Sequence, residues 1–456
     1  MPGVLLTHSN HLFSDRKQME KMQPYPPLQT LIAAAVLREH GLPVSLFDPT
    51  LAEPAEGFDA ALRLHDPDLI VVCEDDFNFL SKMCIARNRE LAFQMSEVAG
   101  QYGIPIVVHG SDSSDHVIEY LRAGFDAVMI GEVENTLLEL AEQKPRPGID
   151  GLAYREGASL RLNPQRRLLT NLDTLPLPAW DLVDMDRYRR EWLSAHGYFS
   201  LNVASSRGCP YRCNWCAKPV YGNSYHARSP YTVANELQQL KERFQPDHVW
   251  FADDIFALSY RWTLEFADAV QSLNAQVPFK MQSRCDLMTR ETVKTLRYVG
   301  CEEVWMGAES GSQRVLDSMD KGIRVRQIYD AVRNLRSHGI RACLFLQFGY
   351  PGEEWEEIEA TIRMVRDVAP DDVGISVSYP LPGTRFHQIV SSQLGLKANW
   401  KDSADVSMMF RGAYQTVFYR ALADAIHAEV RGGDAVAAWQ LVHKLRASSQ
   451  EIERVA

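Results

Sequence analysis

No apolar run in the sequence approaches the ~20 residues that a bilayer-spanning helix needs, so no membrane span is expected. The start, Met1-Pro2-Gly3-Val4, lacks the charged and apolar segments of a signal peptide, and a cytoplasmic location is expected. Cysteine is sparse: eight in 456 residues do not make a disulfide scaffold, and in the cytoplasm they are expected to stay reduced. Positive charge is not in excess either. Lys plus Arg number 48 and Asp plus Glu 59, a formal net charge of -11. An acidic surface repels phosphate backbones, so no nucleic-acid partner is expected. Solenoid repeats and low-complexity tracts are absent. What remains is ordinary globular usage, 46% apolar and 23% charged, over a length suited to about three domains of ~150 residues.

Within residues 1–143, short apolar runs alternate with amphipathic stretches. Strands are expected at Val4–Leu6, Val44–Phe47, Leu69–Cys73, Ile104–Val108 and Ala127–Ile130, with helices near 28–40, 84–102, 114–123 and 133–143. This alternation implies a doubly wound, Rossmann-like parallel sheet with helices on both faces. Residues 144–196 carry Lys144-Pro145-Arg146-Pro147-Gly148 and Leu175-Pro176-Leu177-Pro178 and read as a linker of little regular structure, with a small hairpin at 151–162. Over 197–385 a second series begins, with strands expected at 201–205, 248–252, 278–282, 303–307, 342–348 and 373–379 and helices near 231–244, 260–273, 290–299, 325–338 and 355–368. Six such repeats suggest a partial (β/α)6 TIM-like barrel. Residues 386–456 form a helical C-terminal region, the best helices lying at 415–431 and 434–454.

Directly after the first strand of the second series comes Ser206-Arg207-Gly208-Cys209-Pro210-Tyr211-Arg212-Cys213-Asn214-Trp215-Cys216. Three thiolates within eight residues let one loop wrap a compact metal centre, and soft sulfur suits iron–sulfur clusters or zinc. A structural zinc site takes four protein ligands. No fourth cysteine lies nearby, and His226 is the closest histidine downstream. Three cysteines leave one iron of a 4Fe-4S cluster open for an outside ligand. Zinc and unmodified buried thiols are the alternatives.

The C-x3-C-x2-C spacing, with an aromatic before its last cysteine, resembles the signature of the radical SAM superfamily. The resemblance implies that Cys209, Cys213 and Cys216 hold a 4Fe-4S cluster, that S-adenosylmethionine (SAM) chelates the open iron, and that Trp215 lies near the adenine. In a βα barrel the chemistry gathers at the carboxyl ends of the strands. Those ends read Ala252-Asp253-Asp254, Gln282-Ser283-Arg284, Gly307-Ala308-Glu309-Ser310-Gly311, Phe348-Gly349-Tyr350-Pro351-Gly352 and Tyr379-Pro380. The methionine ammonium needs a carboxylate, Asp253 or Asp254, and its carboxylate a cation, Arg284 beside Ser283. Glu309 is placed to accept from a ribose, and Gly349 to let backbone approach an adenine. The structural alternatives are that the aspartates cap a helix and that Glu309 binds only backbone.

The same strings resemble the radical SAM subgroup with an N-terminal cobalamin-binding domain. The similarity covers about residues 1–385 and includes the linker string from Leu172 to Trp180. By this resemblance Leu28 (after Pro26-Pro27), His109, Gly110, Gly131 and Glu132 are cobalamin-contact candidates. There is no Asp-x-His-x-x-Gly, so no histidine is expected below the cobalt. Cys73-Glu74-Asp75-Asp76 is unusually acidic, and is expected either to cap the next helix, to be solvated, or to hold a polar ligand or water near cobalt. His109 is equally a satisfied structural histidine.

The resemblance implies a cobalamin-dependent enzyme that cleaves SAM reductively and functionalises an unactivated carbon, most simply by methyl transfer. A non-methylating oxidative cyclase or ring-rearranging catalyst is the enzymatic alternative, and a redox or cobalamin sensor without turnover the non-enzymatic one. A small-molecule or lipid-like substrate and an external electron donor such as a flavodoxin or ferredoxin are the expected partners. In the C-terminal region, Lys397-Ala398-Asn399-Trp400, Met408-Met409-Phe410 and Tyr414 are expected to be core rather than a substrate pocket. The five scattered cysteines are expected to be packing thiols.

Overall fold

The computed structural model describes residues 3–397 and 399–455. It divides into two compact units. Unit 1 comprises 1–209, 218–253 and 399–404, and unit 2 comprises 210–217, 254–398 and 405–456.

Unit 1 is built on a seven-stranded sheet of β1 (Val4–Thr7), β2 (Val44–Leu46), β3 (Leu69–Cys73), β4 (Ile106–His109), β5 (Ala127–Met129), β6 (Leu152–Glu156) and β7 (Ser159–Leu162), in the order β2-β1-β3-β4-β5-β6-β7. The first five are parallel. Strand β3, Leu-Ile-Val-Val-Cys, is apolar throughout because both of its faces are covered. Alternate residues serve different cores: Val71 and Cys73 join Leu6 and Val107, while Ile70 and Val72 join Leu5 and Val108. The expected hairpin does not stand apart. Strand β6 adds antiparallel to β5, and β7 to β6, so the sheet is mixed at that edge.

Besides short helices of four to six residues, two of twelve residues escaped the sequence reading. Pro54–His65 buries Phe58, Ala61 and Leu62, spaced i, i+3, i+4, and starts on a proline suited to a first turn. Met185–His196 corrects the view of 144–196 as irregular: Asp184 caps it, Gly197 ends it, and Met185, Tyr188 and Trp192 are its buried stripe. The expected helix 114–123 is two short ones, Ser111–Asp115 and Val117–Arg122.

Unit 1 also holds β8 (Ser200–Val203), β9 (Ser206–Arg207), β10 (His226–Ala227) and β11 (His248–Phe251), with β8 parallel to β11 and β9 antiparallel to β10. Unit 2 carries β12 (Phe279–Ser283), β13 (Cys301–Glu309), β14 (Arg341–Phe348) and β15 (Asp372–Val377), all parallel in the order β15-β14-β13-β12. Each is served by an amphipathic helix. In Val325–Ser337, Ile328, Ala331, Val332 and Leu335 face inward. The fold is α/β, with a TIM-like βα series of six strands and a helical C-terminal region, Thr416–Val430 and Val436–Val455.

Among the described residues no helix is long and apolar enough to cross a membrane. Asn399, Trp400, Met409, Phe410 and Tyr414 are buried, as expected, whereas Lys397 is exposed and Met408 half-buried; Ala398 lies outside the described residues. None of the eight cysteines is in a disulfide, and the five scattered ones are all buried.

Candidate functional site

Open parallel sheets present ligands with the carboxyl ends of their strands, and in unit 1 that edge is built from charge. The acidic run after β3 is neither solvated nor a cap for the next helix. Glu74, Asp75 and Asp76 are buried, and burial raises all three carboxyls above the ordinary range. Asp75 caps a helix from elsewhere: it accepts the Leu28 N–H at 3.2 Å and the Gln29 N–H at 3.1 Å, fixing the start of Leu28–Glu39. Leu28 itself is buried at this junction.

His109 ends β4. Its Nε2 lies 2.9 Å from the Gly131 carbonyl and 3.5 Å from Asp76, while its buried Nδ1 has no partner. Burial lowers its pKa, against the opposing pull of the Gly131 carbonyl and nearby carboxylates. Glu74 Oε2, Asp76 Oδ1 and Glu134 Oε2 are likewise buried without partners. Gly110, at φ 153, leaves room for Glu74: a Cβ there would stand 2.8 Å from the Glu74 side chain. Gly131 opens onto empty space.

Glu132 points the other way. It accepts from Arg207 Nη1 at 3.0 Å and from the Leu169 N–H. Arg207 also bonds Glu134 and lies 5.7 Å from the Tyr221 ring centroid, with only 3% of the side chain exposed. The two carboxylates respond oppositely. Burial dominates at Glu132 and raises its pKa; at Glu134 burial is also the largest influence, but Arg207, Gln29 and a backbone N–H together outweigh it and lower the pKa. A cleft of about 30 Å³, room for one or two waters, lies beside Leu28, Phe77, Leu172, Pro176, Arg207 and Glu236.

Within unit 1 the segment leading to Cys209 is held on several sides. Asp253, at the end of β11, accepts the Ser205 N–H at 3.1 Å, the Ser205 hydroxyl at 2.7 Å and the Ser206 hydroxyl. Gly208 then turns the chain at φ 77, where a Cβ would meet the Ser224 carbonyl oxygen at 2.5 Å. Lys218 donates to the Cys209 carbonyl at 2.8 Å. Asp254, unlike Asp253, is exposed.

In unit 2 the key residue is Asn214. Its side chain donates to the Ser318 carbonyl at 2.7 Å and to Asp320 at 3.1 Å, and it accepts from Tyr350. Its backbone N–H reaches the Met319 carbonyl, and its own carbonyl takes the Phe386 N–H. Cys213 and Trp215 therefore flank a pinned residue. Trp215 packs against Val315, Met319, Tyr350, Phe386 and Phe410, and its buried indole N–H has no partner. Ser283 donates to the Phe256 carbonyl at 2.8 Å.

Arg284 is held by Asp286 at 2.9 Å and by the Lys321 carbonyl at 3.0 Å, and its guanidinium carbon sits 3.6 Å from the Tyr211 ring centroid. Glu309, at φ 60, accepts from Lys321 Nζ at 2.7 Å. Burial alone would lower the Lys321 ammonium, but its charge and hydrogen-bond interactions, with Glu309 foremost, outweigh it and raise its pKa. Gly349, at φ 75, faces Met408 and Tyr419, and its N–H donates to buried Glu353.

No group of three or more His, Cys, Asp or Glu among the described residues is arranged to enclose a single metal ion. A four-iron cluster asks for something else, one thiolate per iron, and the donor set of three free, partly exposed thiols on a short segment fits it. The strand-end glycines and partnerless polar atoms of unit 1 fit a ligand rich in amides. Sequence reasoning missed Arg207, Asn214 and Lys321. Arg207 had a signal, a lone charge at the end of an apolar strand; the other two had none.

Fold and site together define an α/β protein with a Rossmann-like sheet and a TIM-like βα series that carries a thiol-rich segment after its first strand. The pattern of the Radical SAM superfamily matches residues 203–365. An uncharacterized methyltransferase of Pyrococcus horikoshii is 30% identical over 315 residues, 65% of this chain and 68% of that protein. The hopanoid C-3 methylase of Methylococcus capsulatus is 27% identical, over 59% of this chain and 51% of its own length. The chain thus spans about two thirds of the first of these relatives and about half of the second. Among solved structures, the radical S-adenosylmethionine methyltransferase TsrM from Kitasatospora setae, with cobalamin and a [4Fe-4S] cluster bound, shares the fold at TM-score 0.66 and 20% identity, over 82% of this chain and 72% of that one. The chain belongs to the radical SAM superfamily.

Proposed function

We propose that the protein is a cobalamin-dependent radical SAM enzyme that transfers a methyl group to an unactivated carbon of a small-molecule or lipid-like substrate. The observation that carries this is the segment Arg207–Cys216: three thiols spaced to share a cluster, on a chain anchored by Arg207, Asp253 and Asn214. Bound to these residues, a reduced 4Fe-4S cluster supplies the electron that cleaves SAM, and cobalamin carries the methyl group.

Cys209, Cys213 and Cys216 hold the cluster. Arg284 takes the methionine carboxylate. Asp253, which also accepts from Ser205 and Ser206, or Asp254 takes the ammonium. Trp215 and the Gly349 backbone border the adenine, Ser283 supports the same strand end, and Glu309 accepts from the ribose. On the sheet of unit 1, Leu28, His109, Gly110, Gly131 and Glu132 line the cobalamin position. There Glu132 acts through Arg207, and His109, whose Nε2 is engaged by Gly131, receives a polar arm at Nδ1. The methyltransferase and methylase names of the relatives support methyl transfer over cyclisation. Reduction requires an outside one-electron donor of the flavodoxin or ferredoxin kind, and a cytoplasmic setting keeps the thiols reduced.

The test is anaerobic. The reconstituted full chain, given reductant and SAM, is expected to form deoxyadenosine and, with substrate, a product heavier by one methylene. Cys213→Ala is expected to abolish both. Deoxyadenosine without added carbon would replace methyl transfer by cyclisation or rearrangement. No deoxyadenosine with several reductants would overturn the reading.

A further inference from the structure

Lys321 is a buried cation in unit 2. Its Nζ lies 2.7 Å from Glu309 Oε1, and two and three residues before it the Met319 and Ser318 carbonyls are bonded by Asn214, the neighbour of Cys213. The fold makes room for the pair. A Cβ on Gly307 would stand 2.5 Å from Lys321 Nζ and 2.6 Å from Glu309 Oε1. The register of β13 on β14 shifts between Gly307 and Glu309, and Glu309 takes a left-handed backbone that a non-glycine residue adopts only when held there. The spacing to the cysteine segment is also fixed. Arg284 binds the Lys321 carbonyl, and Asn214, next to Cys213, binds the carbonyls of Ser318 and Met319.

A cluster on three thiolates gains negative charge on reduction, so a fixed cation beside one of them favours the reduced state. In the structure that cation is matched by Glu309. We propose that the Lys321–Glu309 pair couples SAM binding to cluster reduction: ribose hydroxyls that donate to Glu309 draw off its charge, leaving Lys321 to act on the cluster at Cys213. The coupling rests on the proposed roles of Cys213 as cluster ligand and Glu309 as ribose acceptor. Lys321 is thus a positioning charge. It makes no bond to the reacting atoms and times the electron transfer to the presence of cosubstrate.

The experiment is a redox titration of the reconstituted full chain, followed by EPR, with and without SAM. In the wild type, SAM is expected to raise the reduced-to-oxidised ratio at a fixed potential about tenfold, about 59 mV for a one-electron couple. Lys321→Met is expected to lower the ratio without SAM and to lose the rise, and Lys321→Arg to keep both. Glu309→Gln is expected to show the raised ratio with no SAM present. A Lys321→Met protein that titrates like the wild type overturns the coupling, as does a Lys321→Arg protein that behaves like the methionine variant. If Lys321→Met assembles no cluster, Glu309→Gln decides, and a wild-type ratio there overturns the coupling. A wild-type chain that takes up no cluster overturns the assignment of the thiols and the coupling together. A normal cluster with unchanged potentials overturns the coupling alone.

Discussion

The hydroxyl of Tyr350 donates to Asn214 Oδ1 at 2.9 Å, which ties the loop after β14 to the residue between Cys213 and Trp215. Tyr350 also stacks on Phe386 with centroids 5.3 Å apart, so the contact combines a polar and an apolar anchor. Asn214→Ala is expected to cost about 1–3 kcal/mol, because it removes the side-chain hydrogen bonds to the Ser318 carbonyl, Asp320 and the Tyr350 hydroxyl. It is also expected to weaken cluster retention against a chelator about ten- to a hundredfold, the usual effect of losing a residue that orients a ligand. Tyr350→Phe removes a single donor and is expected to cost about 1 kcal/mol. Urea unfolding and iron analysis read the two effects. An Asn214→Ala protein with wild-type iron retention would remove Asn214 from the account of the site.

Gly349 carries both a left-handed φ and a crowded environment, with a Cβ position 2.9 Å from Met408 Sδ and 3.2 Å from Tyr419 Cζ. Gly349→Ala is expected to destabilise by about 1–3 kcal/mol. Adding Met408→Ala to it is expected to recover only part of that, since the backbone strain stays. A double-mutant cycle by urea unfolding separates the two. Full recovery would mean that crowding alone keeps this position a glycine.

Glu353 is pushed up to about 8 by burial, against an ordinary 4.5. The folded state therefore holds a proton that the unfolded state releases. The sign follows: this contribution is fully present below about pH 4.5 and is lost as the pH rises through about 8. The stability of the wild type relative to Glu353→Gln is expected to fall between those values, by at most about 1.4 kcal/mol per pH unit. Urea midpoints of both proteins from pH 5 to 9 test it, and parallel curves would refute the raised pKa.

Arg207 stands between two buried carboxylates, Glu132 and Glu134. Arg207→Met is expected to cost about 3–5 kcal/mol by leaving them unmatched, and less under acid conditions, where both can take a proton. Replacing Glu132 and Glu134 by Gln in the same chain is expected to recover most of it. The check is urea unfolding of the three proteins; a triple variant no better than Arg207→Met would mean that lost packing against Tyr221 dominates.

What the sequence made legible divides along physical lines. Strands such as Leu69–Cys73 and helices such as Val325–Ser337 announce themselves because burial imposes a period on the chain. Met185–His196 was missed although its cap, its terminal glycine and three buried residues are all local signals. The error lay in reading the neighbouring prolines as dominant over the whole segment. The cysteines were legible because their chemistry depends on spacing along the chain. Lys321 was not, since it matters through Glu309 and Cys213, respectively 12 and 108 positions away. The acidic run after β3 was seen but misplaced, because its capping partner, Leu28–Glu39, is 46 residues earlier.

The buried position of Arg207, two residues ahead of Cys209, bears on modularity. Its counter-charges come from residues 132 and 134, which precede the βα series in the chain. A shortened protein beginning at that series would keep the guanidinium and discard both acids. The cysteine segment and the Rossmann-like sheet therefore cannot be exchanged as independent cassettes; any chimera must transplant Glu132, Glu134 and Arg207 as one unit.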